Sequence, residues 1–440
     1  MKRMMRMLLL TLAALLLSGC AMRTVEQMYT PPKRSAEYKE LQEAIDTAMY
    51  GMTYCSPQSG ENQQTVQMAD LDGDGQDEYL VFAKGASEKP LQVLIFQQDE
   101  EGNVRTMDTI GFNGSSFEQV EYVEFDEYPG CELVIGIQVS DQVMRSVAVY
   151  SFHNGDAEQI LLNAYSKFLT CDLDVDGRKE LMVFRPGEAE MDRGMAVLYS
   201  TQNGEIRRSV ETELSEPPER IRRVLSGNLQ GGTPGVFVAS ATEGNEIVTD
   251  IFALIDGRLT NISFSTEADT SIRTLRNFYV YAEDIDNDGV IELPSLITMK
   301  PITVWQDEEQ KYLLRWFAVD PEGWETDKLV TYHDYIGGWY LQLDGEWANR
   351  VSVEQNSGAY SFYVWDESYD VASELFTVYI FSGANRDTDT TTSGRFPLYR
   401  AEGIVYGAQL ADAAAEYDIT EEYLVDRFRL IRQDWQTGLT

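Results

Sequence analysis

Residues 172–180 read Asp172-Leu173-Asp174-Val175-Asp176-Gly177-Arg178-Lys179-Glu180. Nine residues carry acids at positions 1, 3, 5 and 9, with glycine at position 6. Acids alternating along a tight turn converge on one point, and the glycine permits the torsion that such a turn demands. The pattern D-x-D-x-D-G-x-x-E recurs at Asp70, Asp72, Asp74, Gly75 and Glu78, and again at Asp284, Asp286, Asp288, Gly289 and Glu292. Two eroded copies fill the gaps. Glu124, Asp126 and Glu132 keep positions 1, 3 and 9 of one, and Asn228 to Gly235 keeps only the loop character, one residue shorter. The starts at 70, 124, 172, 228 and 284 lie 48 to 56 residues apart. Regular spacing with degenerate copies in register marks an internal repeat.

The segment behind each loop separates two kinds of calcium fold. After the last acid come EYLVFA (78–83), ELVIGIQ (132–138), ELMVFR (180–185), GVFVAS (235–240) and ELPSLI (292–297). These runs are short, apolar and largely β-branched or aromatic, so they read as strands. The fifth is weakened by Pro294. An EF-hand would need a helix there and a bidentate glutamate at loop position 12, where Val81, Val183 and Ser295 stand. Further strands and turns come next. Asn154-Gly155 comes after SVAVYSF (146–152), and Asp256-Gly257 comes after DIFAL (250–254). Each period then holds three or four antiparallel strands, the size of one propeller blade.

The loops and the strand behind each resemble the FG-GAP/VCBS repeats of integrin-α-type propellers. The resemblance covers residues 66–335. It implies a mainly β fold: a β-propeller of about five blades, with bound Ca2+ at the intact loops. The expected ligands are the carboxylates of Asp70, Asp72, Asp74, Glu78, Asp172, Asp174, Asp176, Glu180, Asp284, Asp286, Asp288 and Glu292. Position 7 (Gln76, Arg178, Val290) offers a backbone carbonyl. Oxygen donors without imidazole or thiolate favour calcium over zinc or copper. Only the three intact loops are expected to fill.

The N-terminus speaks to location. Lys2, Arg3 and Arg6 precede an apolar run from Leu8 to Leu17, interrupted by Thr11. That run is too short for a mature membrane span. Leu17-Ser18-Gly19-Cys20 comes next and resembles the lipobox of bacterial lipoproteins. The resemblance implies cleavage before Cys20 and a lipid on its sulfur, which holds the chain on the outer side of the cell membrane. Residues 1–19 are then a signal peptide, 20–34 a tether stiffened by Pro31-Pro32, and 35–65 a helix and lead-in. Leu41, Ala44, Ile45 and Ala48 give the helix its apolar face, with Ser35 as cap.

From 336 to 440 the repeat stops, and a separate α+β domain is expected. Strands are read at 337–355, 360–367, 374–383 and 402–410, a polar loop at 386–395, and an amphipathic helix at 419–435 with Leu424, Phe428, Ile431 and Trp435 on one face. Trp339, Trp347 and Trp365 read as core rather than as a sugar platform.

The formal charge of −38 repels phosphates and excludes nucleic acid as a partner. Cys55, Cys131 and Cys171 remain beside Cys20; an odd number gives no disulfide framework, and they read as buried or half-buried apolar residues. Of the two histidines, His153 abuts a turn and reads as surface. No GxSxG, HExxH, Walker or Rossmann pattern occurs, and no catalytic residue is assigned. A glycosidase needs only two carboxylates, and 73 acidic residues leave that alternative open. The expected function is non-enzymatic: an extracellular binding module for a protein or glycan, or else an assembly component of the envelope.

Overall fold

The computed structural model describes residues 36–99, 103–139, 145–187, 193–202, 205–302 and 311–431. Cys20, the signal and tether segments, Ser35 and Trp435 lie outside them. The chain is mainly β, and its described residues form six antiparallel sheets of four or five strands. It divides into two compact units. Of the described residues, the first takes those up to 56, with 64–70 and 75–113; the second takes 57–63, 71–74 and those from 114 on.

The first unit contains the helix Ala36–Ala48 and the first sheet, built from Thr53–Tyr54, Val66–Ala69, Glu78–Lys84, Leu91–Gln98 and Val104–Phe112. The helix and the turn after it bring Leu41, Ile45 and Met49 onto Val81, Leu94 and Phe96. Each such side chain, when fully buried, stabilises by about 1.5–3 kcal/mol.

The second unit holds five more sheets. The second sheet is the meander Ser116–Val123, Glu132–Gln138, Arg145–Ser151 and Glu158–Tyr165. The third is Lys167–Cys171, Glu180–Pro186, Gly194–Gln202 and Glu205–Glu213. The fourth is Ile221–Asn228, Pro234–Ala241, Ile247–Ile255 and Arg258–Asn261. In each of these the loop joins the first strand to the second. The fifth loop enters Leu293–Thr298, and Glu283 and Glu292 pair across its base. Pro294 is tolerated because Leu293–Thr298 is the edge strand of its sheet, where a missing N–H breaks no second ladder. The hairpin at Asp256-Gly257 has φ of +50° and +71°, the left-handed pair that a two-residue hairpin turn requires.

The apolar runs are continuous because these sheets are buried on both faces. Successive side chains along a strand point to opposite faces. In Glu180–Pro186, Leu181 and Val183 pack with Val134 and Val149 of the second sheet. Their neighbours Met182 and Phe184 pack with Val236 and Val238 of the fourth. The fourth sheet then offers Phe237 and Ile251 to Leu293 and Phe317 of the fifth. Sheets two to five therefore stack face to face in chain order.

The fifth sheet continues through residue 336, where the sequence pattern suggests the start of a separate domain. Its strands are Leu293–Thr298, Tyr312–Val319, Glu325–Asp334, Trp339–Asp344 and Phe428–Leu430. Trp339 pairs with Asp334 on one side and with Leu430 on the other. The sixth sheet is Val351–Asn356, Ala359–Trp365, Ala372–Ser382, Phe396–Ala401 and Ile404–Leu410. One core joins both sheets, with Leu313, Trp339 and Leu341 against Val353, Phe362 and Phe376.

Two local expectations change here. Among the described residues, the expected helix over 419–435 is helical at Glu421–Arg427, capped by Thr420, whose side chain accepts from the Tyr423 amide. Phe428 then turns into the fifth sheet and is 2% exposed, because pairing with Leu341 outweighs helical periodicity. The polar segment after 385 holds a short helix, Arg386–Thr391, where Thr390 Oγ1 donates to the Arg386 carbonyl. Trp339, Trp347 and Trp365 are buried, as core residues should be. Cys55 and Cys131 are half-buried and Cys171 is buried, and none of the three is in a disulfide. Burial pushes the Cys171 thiol up to about 12.

Candidate metal centres

The intact loops share one backbone design. At position 4, Gly73, Val175 and Asn287 have φ of +76°, +63° and +61°. At position 6, Gly75, Gly177 and Gly289 have φ of +87°, +91° and +85°. These two left-handed residues fold the chain back so that its own amides point at its acids. The amide at position 5 donates to the position-3 carboxylate: Asp74 to Asp72 (3.2 Å), Asp176 to Asp174 (3.1 Å) and Asp288 to Asp286 (3.2 Å). The glycine amide at position 6 donates to the position-1 carboxylate at 3.0 Å in all three loops.

The division between the two units runs through the first loop. Asp70 and Gly75–Glu78 belong to the first unit and Leu71–Asp74 to the second. Gln76 holds its position 7, and Glu78 is fully buried.

The third and fifth loops lie wholly in the second unit. The buried Glu180 accepts from the Leu173 amide (2.8 Å), and the buried Glu292 accepts from the Ile285 amide (3.1 Å). Asp172, Asp174 and Glu180 bring one oxygen each within 4.8 Å of one another, as do Asp284, Asp286 and Glu292. Position 5 stands outside these groups. Asp176 accepts from the Arg178 amide (2.8 Å) and Asp288 from the Val290 amide (2.9 Å), so both position-7 residues close the turn. Asp288 also takes the Lys328 ammonium at 2.6 Å, which holds its carboxyl below the usual range.

Charge crowding is visible in the glutamates. Burial pushes Glu180 up to about 7; its bond from Leu173 opposes this, and Asp174, Asp176 and Asp172 add to it. Burial likewise pushes Glu292 up to about 8, with Asp286 and Asp288 adding and the Ile285 amide and Lys328 opposing. Asp172 Oδ1 and Glu292 Oε1 are buried with no hydrogen-bond donor. An ionised carboxylate is an acceptor only, and burying one without a partner is costly. A cation at the crossing of these oxygens answers both features, and the all-oxygen donor set fits a hard divalent ion.

The eroded loops differ from each other. The fourth holds no acid. Leu229 N donates to Thr233 O (2.8 Å), and Gly231 and Gly232 take the positive φ values. Asn228 Nδ2 donates to the Gly289 carbonyl of the fifth loop (3.0 Å). The second loop keeps two of these bonds: Tyr128 N donates to Asp126 (2.8 Å) and Phe125 N to Glu132 (3.1 Å). Where the intact loops have an aspartate at position 5, it has Tyr128. His153 is exposed, as expected, and from beyond the next strand it lies 3.2 Å from Glu132 and 3.7 Å from Asp126. Spacing along the chain carries no sign of this, because His153 lies a whole strand beyond the one that Glu132 begins.

No protein-family model matches the chain, and no curated protein sequence matches it. Among solved structures, similarity is found to the exotype rhamnogalacturonan lyase YesX. Identity is 11%, covering 82% of this chain and 72% of that one, with a TM-score of 0.27. A protein from Lactobacillus plantarum is similar at 11% identity over 72% of this chain and 85% of that one, with a TM-score of 0.26. No helix among the described residues is long and apolar enough to cross a membrane.

Proposed function

We propose that the chain is a calcium-stabilised, propeller-type repeat protein that presents its loops to an extracellular protein or glycan. A lipid on Cys20 holds it at the outer side of the cell membrane. The observation that carries the calcium reading is the pair of buried carboxylate oxygens without donors, Asp172 Oδ1 and Glu292 Oε1, inside loops of one design. Ca2+ is the ion of choice because every donor is oxygen and the loops lie in an exterior rich in calcium. With calcium at about ten times Kd, each site contributes about 1.4 kcal/mol. Three sites contribute about 4 kcal/mol, a large part of a typical domain's stability.

In this reading the ions are structural, and the chain is a binder rather than an enzyme. Stacked sheets joined by loops give a rigid base, and loops on a rigid base are where recognition is usually placed. The test is a screen of the protein against glycan and protein arrays in calcium and in chelator. Saturable binding that chelator abolishes supports the reading. Glycoside turnover abolished by one carboxylate substitution would put an enzyme in its place.

A further inference from the structure

The second loop is the one acidic loop whose donors are not all oxygen. It keeps two of the closing hydrogen bonds of the intact loops, the two that hold Asp126 and Glu132 as Asp174 and Glu180 are held. His153 then approaches the two acids, and the ring of Tyr128 lies against it with centroids 4.5 Å apart. The residue that lost the carboxylate thus packs on the residue that brings the nitrogen.

We propose that Asp126, Glu132 and His153 form a further metal site, one for a divalent transition ion of the zinc class rather than for calcium. The three donor atoms lie within 4.8 Å of one another. Donors bound about 2.0–2.2 Å from a zinc-sized ion sit about 3.0–3.6 Å apart. The separations of 3.2 Å and 3.7 Å from His153 Nε2 are close to that spacing. Imidazole with two carboxylates suits zinc or manganese, whereas calcium takes oxygen.

A second observation points to a ligand at this place. Ser151 stands two residues before His153 and is 6% exposed; its hydroxyl is buried with no hydrogen-bond partner. Alternate residues of an extended chain share a face. Ser151 and His153 accordingly line the same pocket of about 510 Å³, together with Asp126 and Glu132. Three protein donors leave a coordination position for water. A water there, or the ion itself, gives the Ser151 hydroxyl its partner.

The test is a calorimetric titration of Zn2+ into the full chain, with calcium held at about 1 mM to occupy the all-oxygen loops. One zinc per chain is expected. His153→Ala and Asp126→Asn should each weaken it by at least about tenfold, while Glu402→Gln, at the exposed turn between Phe396–Ala401 and Ile404–Leu410, leaves it unchanged. Circular dichroism in calcium checks that the variants are folded. X-ray absorption of the zinc-loaded wild type should show a nitrogen ligand, a readout that needs no variant. If the wild type takes up no zinc in calcium, or binds it through oxygen alone, or if folded His153→Ala binds it as tightly, the proposal is overturned. His153 is then an ion-pair partner of the two acids.

Discussion

The third loop and the fourth begin at the same point of neighbouring sheets, and they close in opposite ways. In 172–180 the amides of Leu173, Asp176, Gly177 and Arg178 all go to carboxylates. In 228–235 the turn is closed by Leu229 and Gly232 through backbone bonds, without any acid. Both deliver the chain into a buried second strand. The turn therefore does not need acids, and four carboxylates in nine residues need another explanation than chain reversal. Their repulsion, and the oxygens left without donors, would be relieved by the proposed cation. The second loop lies between the extremes: two of its acids, Asp126 and Glu132, meet a histidine from outside the loop.

Substitutions can break this contrast. The largest effect is expected for Glu292→Ala. It removes a proposed ligand and leaves the Ile285 amide, paired at 3.1 Å in the native protein, without its acceptor. A loss of about 3 kcal/mol in calcium is expected by denaturant unfolding, and clearly less in chelator. Equal losses in both would show that the glutamate acts only through Ile285. Asp174→Asn keeps the volume and removes one charge. It should cost about 1.4 kcal/mol in calcium, close to nothing in chelator, and one bound calcium by equilibrium dialysis.

How much of this was legible in the sequence depends on how far apart the partners lie. The intact loops were legible because all their acids fall within nine residues, and local backbone geometry alone brings them together. The strands behind them were legible because both faces are buried, which leaves unbroken apolar runs. His153 was not, since its approach to Glu132 is set by pairing of the strands Glu132–Gln138 and Arg145–Ser151. The end of the last helix was not either. Residues 421–431 keep a helical apolar spacing, and only the strand Trp339–Asp344, some eighty residues earlier, draws Phe428 out of it. Lys328 is likewise beyond the reach of local spacing, because it meets Asp288 from a later strand.

Two smaller effects sharpen the comparison among the intact loops. Val175 is β-branched at φ +63°, where the other loops place glycine or asparagine. Val175→Asn should stabilise the protein by about 0.5–1 kcal/mol, read as a higher denaturation midpoint with or without calcium. No gain would mean that the valine is unstrained. Lys328→Ala removes a positive charge 2.6 Å from Asp288. Calcium should then bind the fifth loop about threefold more tightly, and the third loop as before. Weaker binding would mean that the lysine orders the loop rather than competing with the ion.

The most direct measurement is thermal unfolding of the full chain in calcium and in chelator, with bound calcium counted on the same sample. The expected result is a midpoint that rises with calcium, three ions retained per chain, and stepwise loss of both in Asp72→Ala, Asp174→Ala and Asp286→Ala. An unchanged midpoint together with no retained calcium would contradict the account and leave the acidic loops as bare turns.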